Sequence, residues 1–244
     1  MSEIKSVNYI KFIIGTVFFG LLILASGNIS TMFNLEGIPD IVLKTIIAAA
    51  ILFYAYKRND INRIFNIHFS PVYLLVIIIP MVLSYILQNC PLNFDPYPYY
   101  IATTIIGTVV TALWEELYFR YVGCSLFEED GKYKWYNILF LALMFMGIHL
   151  INVYFNGWGP TQNQLMFTFG LGIFVLALYI QTQSLLVPII AHFCINSVAD
   201  YFSLFATSNS PLYIGSMFQP FYVFYVVVLI AIGVFILKRS GRVF

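Results

Sequence analysis

A small set of side chains in this sequence has the types and spacings that chemistry in an apolar setting would need. Glu115, Glu116 and Arg120 fall within the run Trp114-Glu115-Glu116-Leu117-Tyr118-Phe119-Arg120. Phe145 and His149 are one helical turn apart, as are His192 and Asn196. Residues at this spacing share a helix face, so Glu116 and Arg120 can neutralise each other within one helix. Glu115, about 100° round the helix, has no such partner. One carboxylate and two imidazoles can hold and deprotonate a water. The set Glu115, His149 and His192 could instead hold a metal such as Zn2+ in an open site. His192 and Asn196 can both donate to a developing oxyanion. Together these groups describe hydrolysis of an amide. No serine or cysteine occupies an obvious nucleophile position, because Ser197 and Cys194 point to different faces from His192. The same residues also admit blander roles: a hydrogen-bonded packing histidine, a Glu–Arg clamp between helices, or the lining of a transport or proton path.

The elements that must position these groups are apolar. The chain has 244 residues, 61% hydrophobic and 9% charged, with a mean hydropathy of +0.87. A soluble domain carries roughly 25% charge, so the composition implies a polytopic membrane protein. The long apolar runs lack a period of two, which excludes a β-barrel. The expected fold is an all-α membrane helix bundle forming a single domain over 1–244, with its motif core at about 110–200. A net charge of +1 gives no basis for a nucleic-acid partner. Cys90, Cys124 and Cys194 match no metal or disulfide spacing and read as small core residues. Each charge at the centre of a span costs about 2.5–3.5 kcal/mol on insertion scales. Three within one turn and a half therefore mark a site facing the bundle interior.

Eight spans are expected, at about 8–26, 38–56, 71–88, 99–127, 134–152, 163–181, 184–205 and 220–238, each near the length a bilayer requires. Lys5 and Lys11 precede an apolar run ending Ala25-Ser26-Gly27, which reads as an uncleaved first span rather than a signal peptide. Lys57, Arg58 and Arg63, then Lys132 and Lys134, then Lys238, Arg239 and Arg242 occupy alternate connections and the tail. The intervening loops have no Lys or Arg, which puts both termini in the cytoplasm. Lys44 and Arg120 are the two basic residues within later spans. The loops Pro91–Tyr100 and Phe155–Pro160 read as interfacial turns with an aromatic belt, His68 as a surface histidine, and Asp60–Ser70 as a surface helix. Counting from the cytoplasmic helix ends, Glu115 lies about 18 Å deep, His149 about 22 Å, and His192 and Asn196 about 12 and 18 Å. The groups therefore share one slab of the membrane, towards its cytoplasmic half.

Glu115-Glu116-x-x-x-Arg120, Phe145-x-x-x-His149 and His192-x-x-x-Asn196 resemble, in order, the three motifs of the CPBP family of intramembrane proteases. This family includes type II CAAX-prenyl-protease-like, bacteriocin-processing and abortive-infection proteins. The flanks Phe145-Met146-Gly147-Ile148-His149-Leu150 and Ser184 to His192 are similar to family sequence. The resemblance implies that Glu115 activates the hydrolytic water with help from His149, and that His192 and Asn196 stabilise the oxyanion. Glu116, Arg120 and Phe145 would support the site. It also implies an endopeptidase acting on a peptide or membrane-protein substrate in a bacterial plasma membrane, with no cofactor, the alternative being Zn2+. The second functional expectation is a non-catalytic immunity or signalling-regulatory membrane protein of the same family. The family often has Gly directly after the motif Arg; here Tyr121 stands there, with Gly123 two residues on.

Overall fold

The computed structural model describes residues 2–35, 37–67, 69–88, 98–205 and 220–244. His68, Cys90, most of the Pro91–Tyr100 loop and the 206–219 connection lie outside the described residues. Within them the chain is all helical and contains no strand. The helices are α1 Ser2–Phe33, α2 Ile38–Lys57, α3 Ile61–Ile64, α4 Val72–Gln88 and α5 Pro98–Glu116. They continue with α6 Gly123–Phe127, α7 Trp135–Ile148, α8 Asn152–Asn156, α9 Trp158–Thr182, α10 Leu186–Phe205 and α11 Pro220–Ser240. A π-helical turn, Leu117–Val122, joins α5 to α6, and a 3-10 turn, His149–Ile151, joins α7 to α8. With these joints counted as continuous, eight long helical units cover the eight expected spans. By length and apolarity, five helices suffice to cross a membrane: Ser6–Phe33, Ile38–Lys57, Trp135–Asn156, Trp158–Thr182 and Val223–Ser240. Val72–Ile86 and Leu186–Tyr201 are apolar but shorter.

The central helix is α9, whose apolar window is 78% buried against 17–33% for the four other long spans. Such all-round burial suits a helix that is apolar on every face. Gly172 lets α7 approach closely: a Cβ there would stand 3.1 Å from Phe145 and 3.4 Å from Ala142. On the opposite side Gly233 of α11 fits against Ile173 and Phe174. Gly157, at φ 76°, adopts the left-handed conformation that reverses the chain between α8 and α9.

The segments that carry the basic residues meet at one end of the bundle. Tyr133 N–H donates to Arg242 O (2.7 Å), and Phe244 N–H donates back to Tyr133 O (3.1 Å), pairing the 128–134 hairpin with the tail. Asn8 at the start of α1 donates to Leu126 O (3.0 Å). Leu185 N–H, in the turn between α9 and α10, donates to Ile64 O (3.1 Å). The expected surface helix at 60–70 is reduced to the single turn of α3. Cys124 is buried and Cys194 half-buried, as expected of small core residues.

Candidate active site

Residues 114–121 are all buried, a run of eight that includes three charged side chains. The segment is therefore enclosed on every side. Trp114 and Tyr118 pack against Phe19 of α1, Tyr118 stacks on Phe12 at 5.1 Å, and Phe119 meets Phe145 of α7 at 5.1 Å. The expected regular helix opens here into a π turn, a form found frequently at functional sites. Two contacts hold the far end of this turn. Tyr121 donates to Asp60 Oδ2 at 2.7 Å. Gly123 seats against Leu141 and Phe12, where a Cβ would come within 2.8 Å of Leu141 Cδ2. The glycine two places after Tyr121 thus provides the close approach, while the tyrosine ties the turn to the α2–α3 connection.

The intrahelical pair expected from spacing is present: Arg120 Nε lies 2.9 Å from Glu116 Oε2, both fully buried. Arg120 also donates to Gly172 O (3.5 Å) and lies 4.2 Å over the Phe145 ring. Glu116 has a second role that spacing did not reveal. Its Oε1 is 2.7 Å from His192 Nδ1 of α10. A carboxylate already held by a guanidinium accepts, so Nδ1 carries the proton and Nε2 faces the other way. That nitrogen stands 3.7 Å from Glu115 Oε2, too long for a hydrogen bond. Glu115 Oε2 is buried and makes no hydrogen bond. Such an atom is costly unless a ligand or water meets it.

His149 sits where α7 tightens into the 3-10 turn. Its Nδ1 is 2.9 Å from Phe145 O; a carbonyl can only accept, so this nitrogen is the donor and Nε2 is the acceptor. Phe145 stands edge-on between the two histidines, 5.4 Å from His149 and 5.8 Å from His192.

These groups border a cavity of about 180 Å³ lined by Glu115, His149 and Asn196 together with Lys44, Thr111, Asn152 and Gln164. All seven side chains expected to carry or support the chemistry therefore converge. Glu115, His149 and Asn196 form the wall, and Glu116, Arg120, Phe145 and His192 form the layer behind it. Lys44 was visible in sequence as a cation in a span but had no assigned place. It bridges Asp40 (2.6 Å) and Thr111 (3.1 Å) at the cavity wall. Asn152 and Gln164, hydrogen-bonded to each other at 2.8 Å, carried no sequence signal beyond being amides near helix ends.

The cavity extends beyond the side chains whose spacing suggested chemistry. On α9, Gln164 is about 9 Å from the helix start and about 27 Å from the end at the basic side. On α2, Lys44 is about 9 Å from the helix start at Ile38. Through these two side chains the cavity reaches towards the end away from the basic segments.

Zinc would need three donors converging on one point at about 2.0–2.2 Å. Among the described residues no three His, Cys, Asp or Glu side chains come together in that way. The set Glu115, His149 and His192 does not fit a metal in this arrangement.

Comparison with curated proteins and with solved structures gives no match. Residues 97–198 match the family model described as type II CAAX prenyl endopeptidase Rce1-like. That stretch contains all seven convergent side chains, and over it the chain is similar to this CAAX-protease-like family.

Proposed function

We propose that this protein is an intramembrane endopeptidase of a bacterial plasma membrane that cuts a peptide or membrane-protein substrate without a metal or other cofactor. The observation that carries the reading is the buried Glu115 oxygen without a hydrogen bond, beside His149 and Asn196 on one cavity wall. Glu115, with the Nε2 acceptor of His149, takes a proton from a water whose oxygen attacks the substrate carbonyl carbon. The new C–O bond leaves an oxyanion facing His192 Nε2 and the Asn196 amide. With Nδ1 held by Glu116, donation from Nε2 to the oxyanion takes the imidazolium form of His192. Collapse of the intermediate breaks the C–N bond, and Glu115 passes its proton to the leaving nitrogen. Glu116 and Arg120 are positioning residues that act through His192. The test uses purified protein in liposomes with membranes from a strain lacking it. Wild type generates new peptide termini that Glu115→Gln does not, whereas identical termini from both would overturn the reading.

A further inference from the structure

Polar groups are distributed unequally on the two sides of the proposed site. On the side of the basic segments the site is sealed. Arg120 and His192 are buried, and beneath them Phe12 meets Phe119 at 6.0 Å and Phe127 at 6.1 Å, while Phe127 meets Phe140 at 5.4 Å. Tyr9 and Tyr118, which pack into this aromatic layer, have their hydroxyls taken up by Asn137 Oδ1 and Phe12 O.

On the other side the polar lining continues. Lys44, Thr111, His149, Asn152, Gln164 and Asn196 are all half-buried rather than buried. Beyond them Asp40 pairs with Lys44 and accepts from Ser26 (3.3 Å). Thr108, a turn further from Glu115 than Thr111, donates to Asp200, a turn further along α10 than Asn196. Each of these groups lies towards the helix ends opposite the basic segments. An ionised pair and a half-buried acid in this part of a membrane bundle are costly unless they border a hydrated space.

Combined with the rule that basic segments stay in the cytoplasm, the geometry points to entry from the extracytoplasmic side. We infer that the cavity is filled, and the substrate presented, from that face. The substrate class is then an exported peptide, or the outward end of a membrane-spanning protein, rather than a segment in the cytosol. The nature of what enters rests on the protease reading; the side of entry does not.

Side-specific thiol labelling tests this without any assay of proteolysis. In a background with Cys90, Cys124 and Cys194 replaced by alanine, single cysteines are placed at the cavity (Gln164→Cys, and Thr111→Cys should the first misfold) and in the basic hairpin (Lys132→Cys). A membrane-impermeant cationic methanethiosulfonate is applied to spheroplasts and to inverted vesicles of a bacterial host. Modification of Gln164→Cys in spheroplasts, its loss in inverted vesicles, and the reverse pattern for Lys132→Cys are expected. Modification of the cavity cysteine in inverted vesicles alone, or from neither side, would overturn the inference. So would modification of Lys132→Cys in spheroplasts. A protein that labels as expected but leaves Glu115-dependent cleavage undetected overturns the protease reading and leaves the side of entry standing.

Discussion

His192 Nδ1 lies 2.7 Å from Glu116 Oε1, and the same carboxylate pairs through its other oxygen with Arg120 at 2.9 Å. Glu116 therefore joins the architecture of its own helix to the orientation of an imidazole on α10. Removing it leaves a guanidinium buried without its ion-pair partner, which typically costs about 3–5 kcal/mol. Glu116→Ala is expected to lower stability by that order in chemical or thermal unfolding in detergent. Adding Arg120→Met should recover part of the loss, because the pair is coupled.

Asn196 borders the cavity on α10, one turn beyond His192. As an oxyanion donor it contributes to the transition state more than to substrate binding. Asn196→Ala should lower kcat about 10²–10³-fold with a smaller change in KM. A raised KM with kcat unchanged would assign it to substrate binding instead.

How much of this was legible beforehand differs between features. The eight helical units follow from apolar runs of bilayer length, and the Glu116–Arg120 pair follows from spacing. The contact of Glu116 with His192 was not legible, because it joins two helices 76 positions apart. The π turn at Leu117–Val122 also escaped. Its i to i+5 bonding has no pattern of its own in sequence and is held by distant partners, Asp60 for Tyr121 and Leu141 and Phe12 for Gly123. Lys44 was seen as a span cation, but only the packing of α2 on α5 shows that it reaches Thr111 at the cavity wall. The cavity's reach towards the non-basic end was not legible either, because Lys44, Asn152 and Gln164 meet there only through packing between helices.

Gly172 tests the packing behind the site. A methyl group there would press on Phe145 and the Ala142 backbone at 3.1 and 3.4 Å, displacing the ring that lies over Arg120. Gly172→Ala is expected to cost about 1–3 kcal/mol. The same variant should shift the ring NMR signals of His149 and His192, both of which face Phe145.

At the basic end, Tyr133 donates to Glu128 Oε2 at 2.9 Å. Burial pushes its phenol well above the usual tyrosine range, with the neighbouring Glu128 carboxylate adding to the effect. A group whose pKa is raised on folding stabilises the fold fully below its unfolded value and loses that contribution as pH rises above it. Stability should therefore fall above about pH 10. Tyr133→Phe removes this alkaline loss and lowers stability at neutral pH by about 1–3 kcal/mol, through loss of the hydrogen bond to the Glu128 carboxylate. Unfolding midpoints measured from pH 7 to 11 check both parts.

The donor arrangement around Glu115 does not fit zinc, so activity should withstand removal of metal. Purified protein dialysed against a strong chelator is expected to retain its full rate of substrate cleavage. Loss of activity restored by Zn2+ would return Glu115, His149 and His192 to the role of ligands.

The most direct test of the central claim is isotopic. Hydrolysis by a Glu115-activated water places one solvent oxygen in each new carboxyl terminus. Wild-type protein in liposomes, incubated in 18O-labelled water with membranes from cells lacking it, should yield peptides with one 18O at the newly formed C-terminus. Glu115→Gln should lower their yield about 10²–10⁴-fold, with Glu115→Gln shown by its unfolding midpoint to be folded. Labelled termini formed at equal rates by both proteins would contradict the account.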